Sequence, residues 1–154
     1  MFPLATYLVD MEHELPILTI STDPDNLYDD EIGIYVEGTN GSNFDFCGGN
    51  DDPGNFINDW ERPASVALYE PDGMKAFEVN AGIKIAGACS RYNALKSMNV
   101  YLRPNQYGDD RIENQIFPDR DRDKFKRLKI RSSGQDFKNS MMRDGTVHLS
   151  LIHI

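Results

Sequence analysis

The sequence predicts a mostly β fold, a twisted sheet or sandwich. Short runs rich in Val, Ile, Tyr or Thr recur along the chain, Gly, Pro, Asn and Asp stand between them, and helical periodicity is sparse. Residues 15–20 form the first such run, and residues 33–36 form another. Between them Asp23, Asp25, Asp29, Asp30 and Glu31 surround a short turn over residues 24–30. A calcium loop of the helix-loop-helix kind would need an oxygen ligand at position 27 and Gly at 28, where Leu27 and Tyr28 stand, so a capped turn is the expectation. Residues 38–59 are dense in Gly, Asn and Asp and read as a long surface loop tolerant of insertion. Strand-like runs return at 65–69, 76–79 and 82–85. Pro71-Asp72-Gly73 is a turn signal, and Lys75-Ala76-Phe77-Glu78-Val79 alternates between polar and apolar, so a hairpin is expected at Asp72-Gly73. Runs at 98–102 and 128–130 complete the set. Near the end, Asp136 is placed to cap a short helix with Phe137, Met141 and Met142 on one face, and Gly145 interrupts it.

The chain has 154 residues, 40% hydrophobic and 27% charged, which fits one globular domain able to bury a core without a disulfide framework. Its two cysteines, Cys47 and Cys89, lack C-x-x-C spacing, and its three histidines lack metal-ligand spacing. No run approaches the length of a membrane span. The net charge of −9 conceals an asymmetry: residues 1–80 carry 17 carboxylates against Arg62 and Lys75, while residues 81–154 carry 14 Lys and Arg against 8 carboxylates. Either the halves attract each other across one fold, or the second half carries an anion site. Nucleic acid is a poor candidate partner, because the acidic half repels phosphates and the sequence pI is 4.7. Neither G-x-x-x-x-G-K-[ST] nor a G-x-G-x-x-G between strand and helix is present. Asn40-Gly41-Ser42 fits the glycosylation pattern, a short motif that chance also produces.

The segment richest in chemistry runs from Gly82 to Arg91, Gly-Ile-Lys-Ile-Ala-Gly-Ala-Cys-Ser-Arg, and is followed by Lys96-Ser97. A strand ending in small residues lets a backbone approach a ligand, and Ser90, Arg91 and Lys96 add hydroxyl and cationic donors suited to phosphate. The competing expectation is a hairpin turn with solvent-exposed Arg91 and Lys96. The aromatics Phe44, Phe46, Phe56 and Trp60 allow a further reading, a non-catalytic extracellular β-module that binds polysaccharide or a partner protein. Against it stands Trp60 as a core anchor before Pro63.

Several stretches resemble the N-terminal part of the CotH family, named for a spore coat protein and regarded as atypical protein kinases. They are residues 5–10, 15–20, 23–29 and 33–36, Trp60-Glu61-Arg62-Pro63, Glu70-Pro71-Asp72-Gly73, and Ala81-Gly82-Ile83-Lys84-Ile85 with Gly87, Ser90-Arg91 and Lys96-Ser97. Phe117-Pro118-Asp119 and the Phe125 to Asp144 region add to these. Ala86, Ala88 and Cys89 depart from the family's Gly-rich turn. The resemblance implies an N-terminal kinase lobe over residues 15–148, truncated in a C-terminal helix. It also implies the end of a preceding domain or linker at 1–14 and a non-native tail at 149–154. It implies ATP and Mg²⁺ as cofactors of a larger bacterial parent, extracellular or at the cell surface, acting on a protein substrate with a Ser or Thr acceptor. The missing C-terminal lobe would supply the catalytic and metal-binding acids, leaving this chain alone inactive. Gly87, Ser90, Arg91 and Lys96 become the phosphate-side residues, with Lys96 as the main contact. Outside the cell Cys47 and Cys89 are free to pair, a question their spacing in sequence leaves open.

Overall fold

Alternating side chains on antiparallel strands set the architecture of the computed structural model, which describes residues 13–43, 47, 52–133, 136, 138–143 and 145. The strands are β1 (Ile17–Ser21), β2 (Arg62–Tyr69), β3 (Lys75–Ala86), β4 (Ser97–Tyr101), β5 (Ile112–Glu113), β6 (Lys124–Phe125) and β7 (Arg127–Ile130). Five of them form one antiparallel sheet in the order β1-β2-β3-β4-β7, while β5 and β6 form a small second sheet. The helices are short, α1 (Pro24–Tyr28) and α2 (Pro104–Tyr107). The fold is therefore mostly β, and no helix among the described residues is long and apolar enough to cross a membrane.

Directly opposed residues share a face, and the register shows which face is the core. Ile20, Val66 and Val79 form one row across β1, β2 and β3, and Ile83, Val100 and Leu128 form another across β3, β4 and β7. Val66, Ile83 and Val100 are fully buried there, and Ile34, Phe56, Ile57, Leu102, Ile112 and Phe125 complete the cluster. The opposite face carries Ser65, Asn80, Gly82, Lys84, Asn99, Tyr101, Arg127 and Lys129. Part of it is covered: a Cβ at Gly82 would overlap the Glu61 carboxylate and the Tyr107 ring. Glu61 also receives a forked pair from Arg103, 2.9 Å at Nε and 3.1 Å at NH2. Burial and the hydrogen bond to Glu61 push the Tyr107 phenol up to about 12.

The hairpin at Asp72-Gly73 forms as expected, with Gly73 at φ 80° and the Glu70 and Met74 backbones bonded across the turn. The separate runs at 76–79 and 82–85 are one strand. Asn80 does not interrupt it, because its residue stays in the ladder opposite Ser65 while its N–H donates to the Asp109 carboxylate at 2.6 Å. Residues 33–36 are not a strand. Their N–H groups are taken by helical and turn carbonyls, Gly33 by Asp29, Ile34 by Asn26 and Tyr35 by Leu27, so Ile34 reaches the core from an irregular segment.

The acidic turn is capped as expected. Asp23 accepts from Asp25 N–H at 3.1 Å ahead of α1, and Asp29 accepts from Glu31 N–H and Ile32 N–H. The 38–59 segment corrects the surface-loop expectation at its end, where a 3-10 helix, Asn55–Ile57, is entirely buried. Asn55 explains why. Its Nδ2 donates to Asp30 O at 3.0 Å, its Oδ1 accepts from Asn40 N–H, and Gly38 at φ 61° packs against it where a Cβ would collide.

Asp136 caps a compact turn rather than opening a helix. Its carboxylate accepts from Ser140 Oγ at 2.7 Å and from Arg143 N–H at 3.1 Å, while Met141 at φ 57° breaks helical continuity. Phe125 is buried, whereas Met141 and Met142 are exposed. Phe44, Phe46, Phe137, residues 1–12 and the 149–154 tail lie outside the described residues.

Cys47 and Cys89 form a disulfide that joins the 38–59 segment to the end of β3 across 42 residues. Closing a loop of that length removes unfolded-state entropy worth about 4 kcal/mol in the chain-entropy account. Reduction, or Cys47→Ser with Cys89→Ser, is expected to lower the melting temperature by roughly 8 to 15 °C for a domain of this size, measured by circular dichroism.

Candidate functional site

The connection from β3 to β4 gathers the side chains that the sequence marks for anion chemistry. β3 ends at Ala86, and Gly87 turns the chain at φ 110°, a conformation in which a Cβ would also strike Ser90 Oγ. A 3-10 helix, Cys89–Tyr92, follows, closed by Arg91 N–H to Ala88 O at 2.9 Å and Asn93 N–H to Ser90 O at 3.2 Å. Gly87 and Ala88 are exposed and Ser90 is half-buried.

Arg91 points inward, which corrects the exposed-turn expectation. It is 7% exposed, with Nε donating to Gly87 O at 2.8 Å, NH1 to Ile57 O at 2.7 Å and NH2 to Asp59 Oδ1 at 3.3 Å. A buried guanidinium needs its donors answered, and this one is answered by two stretches of chain, Gly87 on one side and the 57–59 segment on the other. It thereby locks the Asn55–Ile57 helix onto the connection, where Phe56 also meets the Tyr92 ring edge-on at 5.3 Å.

Lys96 is half-buried. Its Nζ donates to Arg91 O at 2.8 Å and Asn93 O at 2.9 Å and lies 4.1 Å from the Phe56 ring centroid and 5.3 Å from that of Tyr35. Tyr35 reinforces the arrangement by accepting Lys96 N–H at 3.0 Å and donating to Ala94 O. Loss of water lowers the Lys96 pKa, an effect that the charge of Glu37 opposes. Among the described residues no carboxylate forms an ion pair with Lys96.

Two members of the cluster escaped the sequence reading. Lys84 lies on the polar face of β3 opposite Asn99, and its Nζ sits 3.0 Å from Asp59 Oδ1, the same oxygen that faces Arg91. The period-two alternation of β3 was enough to place Lys84 on that face. Nothing local marked Asp59, whose role depends on the packing of Asn55–Ile57. The hydrogen bond from Lys84 holds the Asp59 carboxyl below the usual carboxylate value. Asp59 to Lys84 and Arg91, and Glu61 to Arg103, are contacts between the acidic and basic halves of the chain, so the halves do attract across one fold.

Lys84 and Arg91 thus share the Asp59 carboxylate, and Lys96 joins them through its bonds to the Arg91 and Asn93 carbonyls, close to the exposed Gly87 turn. No three His, Cys, Asp or Glu side chains come together to hold a metal among the described residues. Of the aromatics named for polysaccharide, Phe56 is in the core and Trp60 packs against it beneath the Arg62 guanidinium at 5.0 Å, while Phe44 and Phe46 lie outside the described residues. Comparison with family models, curated proteins and solved structures finds no match to this chain.

Arg91→Ala should cost about 3 kcal/mol by leaving buried carbonyls without donors, with Arg91→Lys intermediate because a compact ammonium cannot reach all three acceptors; denaturant midpoints measure both. Because the Asp59 pKa is depressed in the fold, its stabilisation is present above the ordinary carboxylate value and is lost as pH falls through the depressed one. Asp59→Asn should flatten the acid limb of stability against pH. The effect should be small and salt-sensitive, since the Asp59 side chain is 74% exposed.

Proposed function

We propose that the chain is the β-rich lobe of a CotH-like ATP-dependent phosphotransferase and contributes the cationic wall facing the nucleotide phosphates. The observation that carries this reading is the gathering of three cations beside an exposed glycine turn at the end of β3: Lys84 and Arg91 meet at Asp59, and Lys96 donates to Arg91 O. Phosphoryl transfer depends on positioning and on neutralising charge spread over phosphate oxygens, and cations held in a partly dehydrated setting suit that work.

In this reading each residue has a distinct part. Lys96, free of a carboxylate partner among the described residues and poised over Phe56, donates to a phosphate oxygen. Lys84 supplies a second positive charge, oriented by Asp59. Arg91, tied to Gly87, Ile57 and Asp59, positions the turn rather than contacting ligand. The Gly87 to Ser90 backbone lies against the phosphates. The acceptor is a Ser or Thr hydroxyl of a protein substrate, and the catalytic acid comes from a second lobe. The described residues do not assemble ligands for Mg²⁺. The Cys47–Cys89 disulfide supports an extracellular or cell-surface setting, where such bonds persist.

A thermal shift of the full chain tests the assignment. At 100 times its dissociation constant ATP should add about 2.7 kcal/mol, roughly 5 to 10 °C at this size. Lys96→Met, which keeps a side chain over Phe56, should lose most of the shift measured from its own ligand-free melting temperature. The absence of a shift with ATP, ADP and tripolyphosphate alike would overturn the phosphate assignment.

A further inference from the structure

The polar face of the sheet continues past Lys84 to an open edge. Asn99 stands opposite both Lys84 and Lys129, and Tyr101 stands opposite Arg127, so these side chains share one face across β3, β4 and β7. Arg103 adds its guanidinium 5.0 Å from the Tyr101 ring centroid, and Asn99 Nδ2 donates to Tyr101 Oη at 3.3 Å. Lys84 and Arg103 have carboxylate partners in Asp59 and Glu61, whereas Arg127 and Lys129 are exposed and have none among the described residues. β7 ends the sheet order, and no described strand pairs with its outer edge. Its other two side chains, Leu128 and Ile130, are half-buried on the core side.

We propose that β7 is a docking edge for an extended acidic peptide, which adds to the sheet as a further antiparallel or parallel strand. An incoming strand would place alternate residues on the two faces of the sheet. Carboxylates on one side meet Lys129 and Arg127, and apolar residues on the other meet Leu128 and Ile130. The open backbone groups of β7 supply the hydrogen bonds, and the charge pattern selects the partner. A polypeptide fits better than nucleic acid because an edge strand presents both N–H and C=O groups, which another peptide strand can pair and a phosphate backbone, an acceptor only, cannot. The surface is distinct from the phosphate wall, and its test does not depend on nucleotide.

Fluorescence anisotropy with a labelled ten-residue peptide of alternating Glu and Val, titrated with the full chain, reads the interaction. Three controls accompany it: the same peptide with two Val replaced by Pro, the peptide with Gln in place of Glu, and a ten-nucleotide oligothymidylate. Saturable binding is expected, with affinity at least ten-fold weaker for the Pro and Gln peptides. The variant Arg127→Glu with Lys129→Glu, both exposed positions, should lose at least ten-fold while keeping its circular dichroism spectrum and melting temperature. Equal affinity for the Pro peptide would reduce the effect to charge adsorption and overturn strand addition. Tighter binding of oligothymidylate would overturn the choice of partner. If no peptide binds and Arg127→Ala with Lys129→Ala self-associates, the two charges merely guard a bare edge, and the proposal fails.

Discussion

A buried guanidinium organises the connection between β3 and β4. Arg91 is one of the few charged side chains in the interior, and removing it from water costs several kcal/mol unless every donor finds an acceptor. The acceptors lie on separate pieces of chain: Gly87 at the end of β3, Ile57 in the buried 3-10 helix and Asp59 just beyond it. Satisfying one side chain therefore fixes the relative positions of all three. Phe56 is held where its ring lies beneath Lys96, and Asp59 is held where it meets Lys84. The cationic wall follows from that single constraint.

The sheet divides labour between its faces. One face is a continuous apolar layer centred on Val66, Ile83 and Val100, and it carries the stability. The other is polar, and it is where the two oppositely charged halves of the chain meet, through Asp59 and Glu61 reaching Lys84 and Arg103. β2, between β1 and β3, is buried from Ala64 to Tyr69 on both faces, which suits its small and apolar residues and explains the loss of clear alternation there. Charge asymmetry along the sequence thus becomes charge pairing across a sheet.

What could be read from the sequence was what depends on near neighbours. The Asp72-Gly73 hairpin, the Asp23 cap and the β character of 65–69 and 98–102 come from turn chemistry and side-chain period, and all are present. The errors occur where distant partners decide. Residues 33–36 have strand-like composition, but their N–H groups were claimed by α1 and its following turn. The 38–59 segment has loop composition, yet Asn55 uses polar chemistry to hold Phe56 and Ile57 in the core. At the site, Arg91 and Lys96 could be found as donors beside a glycine turn, but not their direction. Arg91 turns inward because carbonyls 34 residues earlier in the chain stand ready to receive it.

The Cys47–Cys89 bond has a mechanical meaning as well. The ring it closes contains the whole of β2 and β3, two of the three interior strands of the sheet. A stretching force applied outside the ring passes through the sulfurs and leaves those strands unloaded. The chain between the cysteines, a sequence separation of 42, cannot be drawn out, so the extended contour is shorter by about 140 Å than an unlinked chain would allow. Force reaches β2 and β3 only through their contacts with β1 and β4, which lie outside the ring.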